Sequence, residues 1–233
     1  LIPASQIAVK VVNFLVTHLL PPSVLPKMDF EKIGIPDQFR TLVVVPTLLA
    51  NPQMLQHEVE KLEIRFMANR EKNLVFSLFS DFVDSSQLLA PEDEELLKLA
   101  IKSVENLNTR HGSDHFFLFH RNRIWSDSEQ KFIGKERKRG KLEELNRLLV
   151  EQHPEDAERL IHVGSAQALT DIRFVITLDS DTQLPHGTAR RMIETLAHPL
   201  NQPRLDNDGK VRAGSYTIIQ PREIGRASCR ERV

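Results

Sequence analysis

The sequence lacks the features that would assign it to a specialised class of protein. Its 233 residues include one cysteine, which excludes a disulfide framework and a cysteine-based zinc cluster. No apolar run reaches the roughly 18 residues that indicate a membrane-spanning helix. Lysine plus arginine (31) nearly balance aspartate plus glutamate (32), so no overall charge excess favours nucleic acid as a partner. With 40% hydrophobic and 27% charged residues, the composition is typical of a folded globular protein.

A glycine-rich dinucleotide-binding turn is also missing. The apolar run at 41–45 is followed by PTLLAN, which contains no glycine. A dinucleotide-binding domain has G-x-G-x-x-G directly after its first strand. The sequence therefore excludes that class.

The chain divides into three parts by composition. Residues 1–40 combine an amphipathic helix at 2–20 with a proline-rich linker. That helix either packs on the domain or lies along a membrane surface. Residues 41–223 form the main domain. Residues 224–233 (IGRASCRERV) resemble a translated sequencing adapter, and we interpret them, Cys229 included, as a non-native tail on a piece of a longer protein.

Strand and helix patterns alternate through the main domain. The strands are short, apolar and rich in β-branched or aromatic residues, and the helices between them carry one apolar stripe each. This alternation predicts an α/β fold with a mostly parallel sheet and flanking helices. The predicted strands are 41–45, 73–79, 116–119, 174–178 and 216–220, and the predicted helices are 53–68, 91–107, 141–149 and 188–196.

Two carboxylates follow the strand at 174–178, in the segment FVITLDSDTQLP. Asp179 and Asp181 lie at its carboxyl end, the edge where open α/β sheets bind ligands. Because close carboxylates repel each other, we expect a hard divalent cation, Mg²⁺ or Mn²⁺, between them. An Asx turn that caps the next helix is the alternative. A dehalogenase-type phosphatase is disfavoured, because its D-x-D-x-T or D-x-D-x-V motif would need threonine or valine where Gln183 stands.

A basic segment at 131–141 (KFIGKERKRGK) leads into a predicted helix that opens at Gly140-Lys141. Arginine and lysine side chains, Arg139 among them, together with a helix amino terminus make a cradle for a diphosphate. A merely solvated loop is the alternative.

Polar residues also follow the first two strands: Pro46 and Thr47 after the first, and Asp81 and Asp84 after the second. A carboxylate there can accept from a nucleobase N–H or from ribose hydroxyls, although an ordinary loop aspartate has the same appearance in a sequence.

Taken in order, these motifs resemble the donor-binding half of a GT-A glycosyltransferase. More narrowly, VVVPTLL, FSLFSDFVD, GKERKRGKLEELN, FVITLDSDTQLP and IIQPRE are similar to the glycosyltransferase domain of cyclic β-1,2-glucan synthases. The resemblance covers essentially residues 2–223, and GKERKRGKLEELN is its most specific part.

The resemblance implies a metal-dependent, inverting transfer of glucose from UDP-glucose to a growing β-1,2-glucan. By motif match, Asp81 contacts the uracil, Lys141 and Asn146 line the donor site, and Asp179 and Asp181 hold the metal and diphosphate. It also implies a multi-pass protein of the bacterial inner membrane with this domain on the cytoplasmic face, and no nucleic-acid partner.

The sequence departs from this family after residue 223. The catalytic base and the aromatic/arginine acceptor motif of such enzymes have no match here, so we expect both to lie further along the gene. The chain alone is then expected to bind its donor weakly and not to turn over. Two rival functions stay open: a non-catalytic membrane-associated binding module and the dehalogenase-type phosphatase.

Overall fold

The computed structural model describes residues 2–19, 24–112, 114–211 and 214–221. The interpreted tail at 224–233 and the Pro21-Pro22 helix stop lie outside the described residues. Contacts divide the chain into two units, a larger one that contains Asp29–Glu194 and a smaller one formed by Leu1–Met28 and Thr195–Gln220. All candidate site residues belong to the larger unit.

The larger unit is built on a five-stranded sheet in the order β6-β3-β2-β1-β7. β1, β2, β3 and β7 are parallel, and β6 joins β3 antiparallel. The strands are β1 (Thr41–Leu49), β2 (Leu74–Phe82), β3 (Phe116–Arg121), β4 (Ile124–Ser126), β5 (Lys131–Ile133), β6 (Ile161–Val163) and β7 (Phe174–Thr177). The helices are α1 (Ile2–Leu19), α2 (Pro52–Ala68), α3 (Asp93–His111), α4 (Arg137–Glu151), α5 (Pro154–Leu160) and α6 (Thr188–Ala197).

Helices cover the sheet because its central strands are apolar on both faces. On one face, Phe79 of β2 belongs to a buried cluster with Leu145 and Leu148 of α4. Elsewhere, Phe66 of α2 packs against Phe76 and Phe116, with ring centroids 5.8 and 4.9 Å away. The predicted α/β fold with a mostly parallel sheet and flanking helices, consistent with a GT-A fold, is confirmed.

The first two strands run further than the sequence predicted. β1 ends at Leu49 rather than at residue 45, and its parallel pairing with β2 continues to Leu49↔Phe82. The prediction that Pro46 and Thr47 follow the first strand was therefore wrong, because both lie inside β1. Pairing between β1 and β7 stops at Val44, so β1 has only β2 beside it at Pro46, and a missing N–H is tolerated at such an edge. Asp81 likewise lies inside β2 rather than after it.

Several other boundaries differ from the predictions. α4 begins at Arg137, four residues before the predicted start at 141, so the last five residues of the basic segment are helical. α3 runs from Asp93 to His111 rather than over 91–107. The predicted strand at 216–220 does not form. The sequence analysis missed the β4–β5 hairpin, α5 and the antiparallel strand β6.

In the smaller unit, α1 confirms the predicted helix. Its apolar side chains are exposed rather than packed: Ile7, Val11 and Leu19 each keep more than half of their surface in solvent. The helices in the described ranges all fall short of the length and apolar character that a membrane span requires.

Candidate functional site

The candidate site lies where three parallel strands end. β1 pairs with β2 on one side and with β7 on the other. The carboxyl ends of parallel strands meet at one edge of a sheet. That edge therefore contains Thr47 of β1, Asp81 near the end of β2, Asp84 just after β2, and Asp179 after β7. The topology thus brings the strand ends that carry these residues to one edge, and the roles of the residues in ligand binding stay predictions.

A buried salt-bridge cluster forms the floor of this edge. The Asp81 side chain is 2% exposed and accepts from Arg121 through both oxygens, from Nε at 2.8 Å and from Nη2 at 2.9 Å. The Lys141 ammonium lies 3.2 Å from Asp81 Oδ2 and also donates to the main-chain oxygen of Thr47. Arg121 donates in addition to Glu144 at 3.0 Å. Thus α4 is fastened to the ends of β1 and β2.

The pKa values of Lys141 and Arg121, the two buried cations of this cluster, shift in opposite directions. Burial lowers the pKa of Lys141, although the charge of Asp81 and a hydrogen bond to it oppose the shift. Burial also acts to lower the pKa of Arg121, but the hydrogen bonds and charges of Asp81 and Glu144 outweigh it, and that pKa is raised. In this structure Asp81 and Lys141 form a buried ion pair with each other.

Two glycines allow the basic segment to come this close. The segment after the β4–β5 hairpin passes over Asp81, and a Cβ on Gly134 would lie 2.5 Å from Asp81 Oδ2. A Cβ on Gly140, in the first turn of α4, would lie 2.2 Å from the Lys135 carbonyl oxygen. Only glycine fits at either position without a shift of its neighbours.

Two exposed cations in the first turn of α4 form ion pairs with the other carboxylates at this edge, those of Asp84 and Asp179. Arg137 Nη2 donates to Asp84 Oδ2 at 2.8 Å, and Lys138 Nζ pairs with Asp179 Oδ1. With Lys141 on Asp81, this one helical segment contacts carboxylates from the end of β2 and from the end of β7. We call Arg137, Lys138 and Lys141 the basic turn.

The two candidate metal ligands lie in an exposed loop after β7. The Asp179 side chain is 61% exposed, and Asp181 is exposed as well. Thr182 N donates to Asp179 O at 3.0 Å, which makes a tight turn around the D-x-D motif. The described residues contain no group of three or more histidine, cysteine or acidic side chains suited to a metal. Two exposed carboxylates fit a cation whose remaining ligands come from a phosphate and water.

Two predicted donor-binding residues do not join this cluster. Arg139 instead forms ion pairs with Glu136, directly before α4, at 3.4 Å and with Glu143 of α4 at 2.9 Å. Asn146 is exposed, whereas Lys141 and Leu145 are buried on another side of α4. Their assignment to the donor site stays a prediction.

Two buried arginines that contact the site were not predicted from the sequence, Arg121 and Arg65. Arg121 ends the apolar strand β3, and a charged residue directly after FFLFH was the available signal. Arg65 is 4% exposed on α2 and donates to main-chain oxygens of the D-x-D loop. Its signal was a polar residue at every fourth position of α2, at Lys61, Arg65 and Asn69.

Two surface clefts open at the opposite, amino-terminal edge of the sheet. One has a volume of about 370 Å³ and the other about 670 Å³, and Arg40 and Lys72 line both. Arg40 precedes β1, and Arg173, which lines the second cleft, precedes β7. Neither cleft touches a candidate site residue. We place the site at the carboxyl edge because the paired charges and the ligand-binding edge of such folds coincide there.

The larger unit has a mostly parallel sheet, flanking helices and a charged edge at the carboxyl ends of its strands. It is an α/β domain consistent with the fold that GT-A glycosyltransferases use. No protein-family model matches the chain. Among characterised proteins, the chain is 36% identical over 224 residues, 95% of its length, to cyclic beta-(1,2)-glucan synthase NdvB of Rhizobium meliloti (strain 1021). The chain spans 8% of that protein's length. The resemblance to cyclic β-1,2-glucan synthases is thereby confirmed.

Proposed function

We propose that the chain is the donor-binding part of a glucosyltransferase that moves glucose from UDP-glucose to a growing β-1,2-glucan. The observation that carries this proposal is the contact of one basic turn with carboxylates from two strand ends, at the edge where α/β folds bind ligands. The 36% identity to a cyclic β-1,2-glucan synthase supports the choice of product. UDP-glucose as the donor and an inverting reaction are parts of our proposal.

The charges at the edge suit a nucleoside diphosphate. Asp179 and Asp181 would hold a divalent cation, Mg²⁺ or Mn²⁺, which when bound neutralises charge that develops on the UDP leaving group. Arg137 and Lys138 are exposed, so their side chains can turn from Asp84 and Asp179 to phosphate oxygens. The positive end of the α4 dipole adds to this attraction.

Asp81 and Lys141 have a different part in this proposal. Both are buried and paired with each other, so a direct contact of Asp81 with uracil would require the pair to open. Their pairing meanwhile fixes the start of α4 against β2. In the β1–β2 register Pro46 lies opposite Phe79 and Thr47 lies opposite Ser80, and the main-chain oxygen of Thr47 accepts from Lys141.

The remaining parts of the activity belong to the longer protein that we infer. We propose that the catalytic base and the acceptor site are supplied outside these residues, and that the longer protein holds this domain on the cytoplasmic face of the bacterial inner membrane. The glucan acceptor would then meet the donor at this edge.

Calorimetric titration with UDP and Mn²⁺, up to millimolar ligand, tests the proposal. We expect weak UDP binding that requires the cation and is lost when Asp179→Asn and Asp181→Asn are combined. Asp171→Asn is the matched control, because Asp171 is an exposed carboxylate at the opposite edge of the sheet. Equal UDP binding by the double variant and the control would contradict the proposed role of the aspartates.

One observation favours a second candidate, a membrane-associated binding module. The apolar side chains of α1 are exposed, which suits a helix lying in a membrane surface. Co-sedimentation with anionic liposomes tests it. Salt-sensitive lipid binding that is abolished by neutralising the exposed cations Lys135, Arg137 and Lys138, in a chain that binds no UDP, would favour the module over the transferase.

A further inference from the structure

The loop that carries Asp179 and Asp181 follows β7, but its main chain is hydrogen-bonded by residues at the end of α2. We define the aspartate loop as residues 178–189, which run from the end of β7 into the first turn of α6. Lys61 and Arg65 lie four residues apart on one face of α2, and Asn69, four residues further along, is the residue directly after the end of the helix. We call these three residues the α2 stripe.

The α2 stripe contacts the main chain of the aspartate loop. Lys61 Nζ donates to Ser180 O at 3.1 Å. Arg65 Nη2 donates to Ser180 O and to Thr182 O, each at 2.8 Å, and its Nε donates to Thr182 O at 3.1 Å.

Asn69 continues the same pattern toward α6. Its Nδ2 donates to Leu184 O at 2.9 Å, and its Oδ1 accepts from Ala189 N at 3.3 Å. The stripe therefore contacts the aspartate loop from its D-x-D turn to the start of α6.

These contacts separate the two sides of the D-x-D turn. The main-chain oxygens of Ser180 and Thr182 turn inward to the buried Arg65 guanidinium, while Asp179 and Asp181 are exposed. Every loop atom in these hydrogen bonds belongs to the main chain, so the stripe fixes the path of the loop without using its carboxylates. Asp181 and Asp179, the latter paired with the exposed Lys138, are thus left to face the solvent side of the turn.

The charge of Arg65 has a second effect on the loop. Two carboxylates separated by one residue repel each other when no cation lies between them. Burial lowers the pKa of Arg65, while the charges of Glu58 and Asp181 oppose that shift. A fixed positive charge behind the turn thus offsets part of the repulsion before a metal ion arrives.

We propose that the α2 stripe is a positioning device that presets the aspartate loop for a cation-bound diphosphate, with Arg65 as its main member. The inference rests on the proposed function, because the cation-bound diphosphate that the loop would bind is part of that proposed function. A loop ordered in advance binds more tightly, since less conformational freedom is lost on binding.

Hydrogen exchange and ligand affinity together test the proposal on the 233-residue chain. Arg65→Lys keeps the positive charge but removes the planar fork that reaches Ser180 O and Thr182 O together. We expect amides of 178–189 to exchange at least tenfold faster in this variant, with β1 and β2 unchanged, and UDP to bind at least tenfold more weakly in the presence of Mn²⁺.

A matched pair of asparagines separates positioning from general stability. Asn69 and Asn73 are each 4% exposed and each donates Nδ2 to a main-chain oxygen, but Asn73 holds Ile35 O at the opposite edge of the sheet. Asn69→Ala should speed exchange in the aspartate loop and weaken UDP binding. Asn73→Ala should change neither.

The outcomes are distinct. Wild-type exchange rates in the loop of Arg65→Lys, or faster exchange with unchanged UDP affinity, would overturn the positioning role. Equal effects of Asn69→Ala and Asn73→Ala on UDP affinity would overturn it as well. If the unaltered chain binds no UDP with Mn²⁺, the proposed function falls, and hydrogen exchange alone then decides whether the stripe holds the loop.

Discussion

The substitution Asp81→Asn tests the buried cluster that joins α4 to β2. Asparagine keeps the size of the side chain and one acceptor oxygen, so the main change is the loss of one negative charge. Arg121 and Lys141 are each 3% exposed and would face each other with less compensation. Removing one partner of a buried ion pair costs about 3–5 kcal/mol. Because Arg121 keeps Glu144 and Lys141 keeps Thr47 O, we expect the lower end, about 3 kcal/mol.

Urea unfolding at pH 7, followed by circular dichroism, measures this loss. The double variant Asp81→Asn/Lys141→Met should be more stable than Asp81→Asn alone, because it also removes the unpaired buried ammonium. Glu94→Gln is the control, since it breaks the exposed Glu94–Lys98 pair and should leave the unfolding midpoint unchanged. A loss below about 1 kcal/mol for Asp81→Asn would refute the claim that this cluster holds the edge together.

Two further predictions concern other charged groups. Burial lowers the pKa of His120 to about 3, so the folded chain keeps it neutral while the unfolded chain takes up a proton below about pH 6.5. The free energy of unfolding should therefore fall as the pH falls, by about 2 kcal/mol at pH 5 from this residue. Urea titrations between pH 7.5 and 5 should show a smaller fall for His120→Asn, and an identical fall would contradict this assignment. In calorimetry with Mn²⁺, Arg137→Gln and Lys138→Gln should each weaken UDP binding several-fold. Arg147→Gln should not, because Arg147 lies further along α4 and pairs with Asp156; equal effects of all three would contradict the proposed role of the basic turn.

The sheet was predictable because its strands are continuous apolar runs. The sequences at 41–45, 73–79, 116–119 and 174–178 each became a strand of the parallel sheet. The strand ends were not predictable, because Pro46 and Asp81 read as turn residues. Only the long pairing of β1 with β2, and the burial of Asp81 against Arg121, explain why the strands continue.

The candidate site was predictable in its residue types but not in its partners. Asp179 and Asp181 came from local sequence, since they directly follow an apolar run. Arg121 pairs with Asp81 across 40 positions of sequence, and Arg65 reaches Ser180 across 115. No local pattern carries such pairings, because they depend on how strands and helices are brought together.

The most direct test of the central claim is the position of the cation itself. Crystals of the chain soaked in Mn²⁺ and UDP would locate it by anomalous scattering. We predict one strong peak between the carboxylates of Asp179 and Asp181 and the diphosphate of UDP, with Arg137 or Lys138 on the phosphate oxygens. A UDP molecule bound elsewhere, or bound at this edge without a cation on either aspartate, would contradict the account.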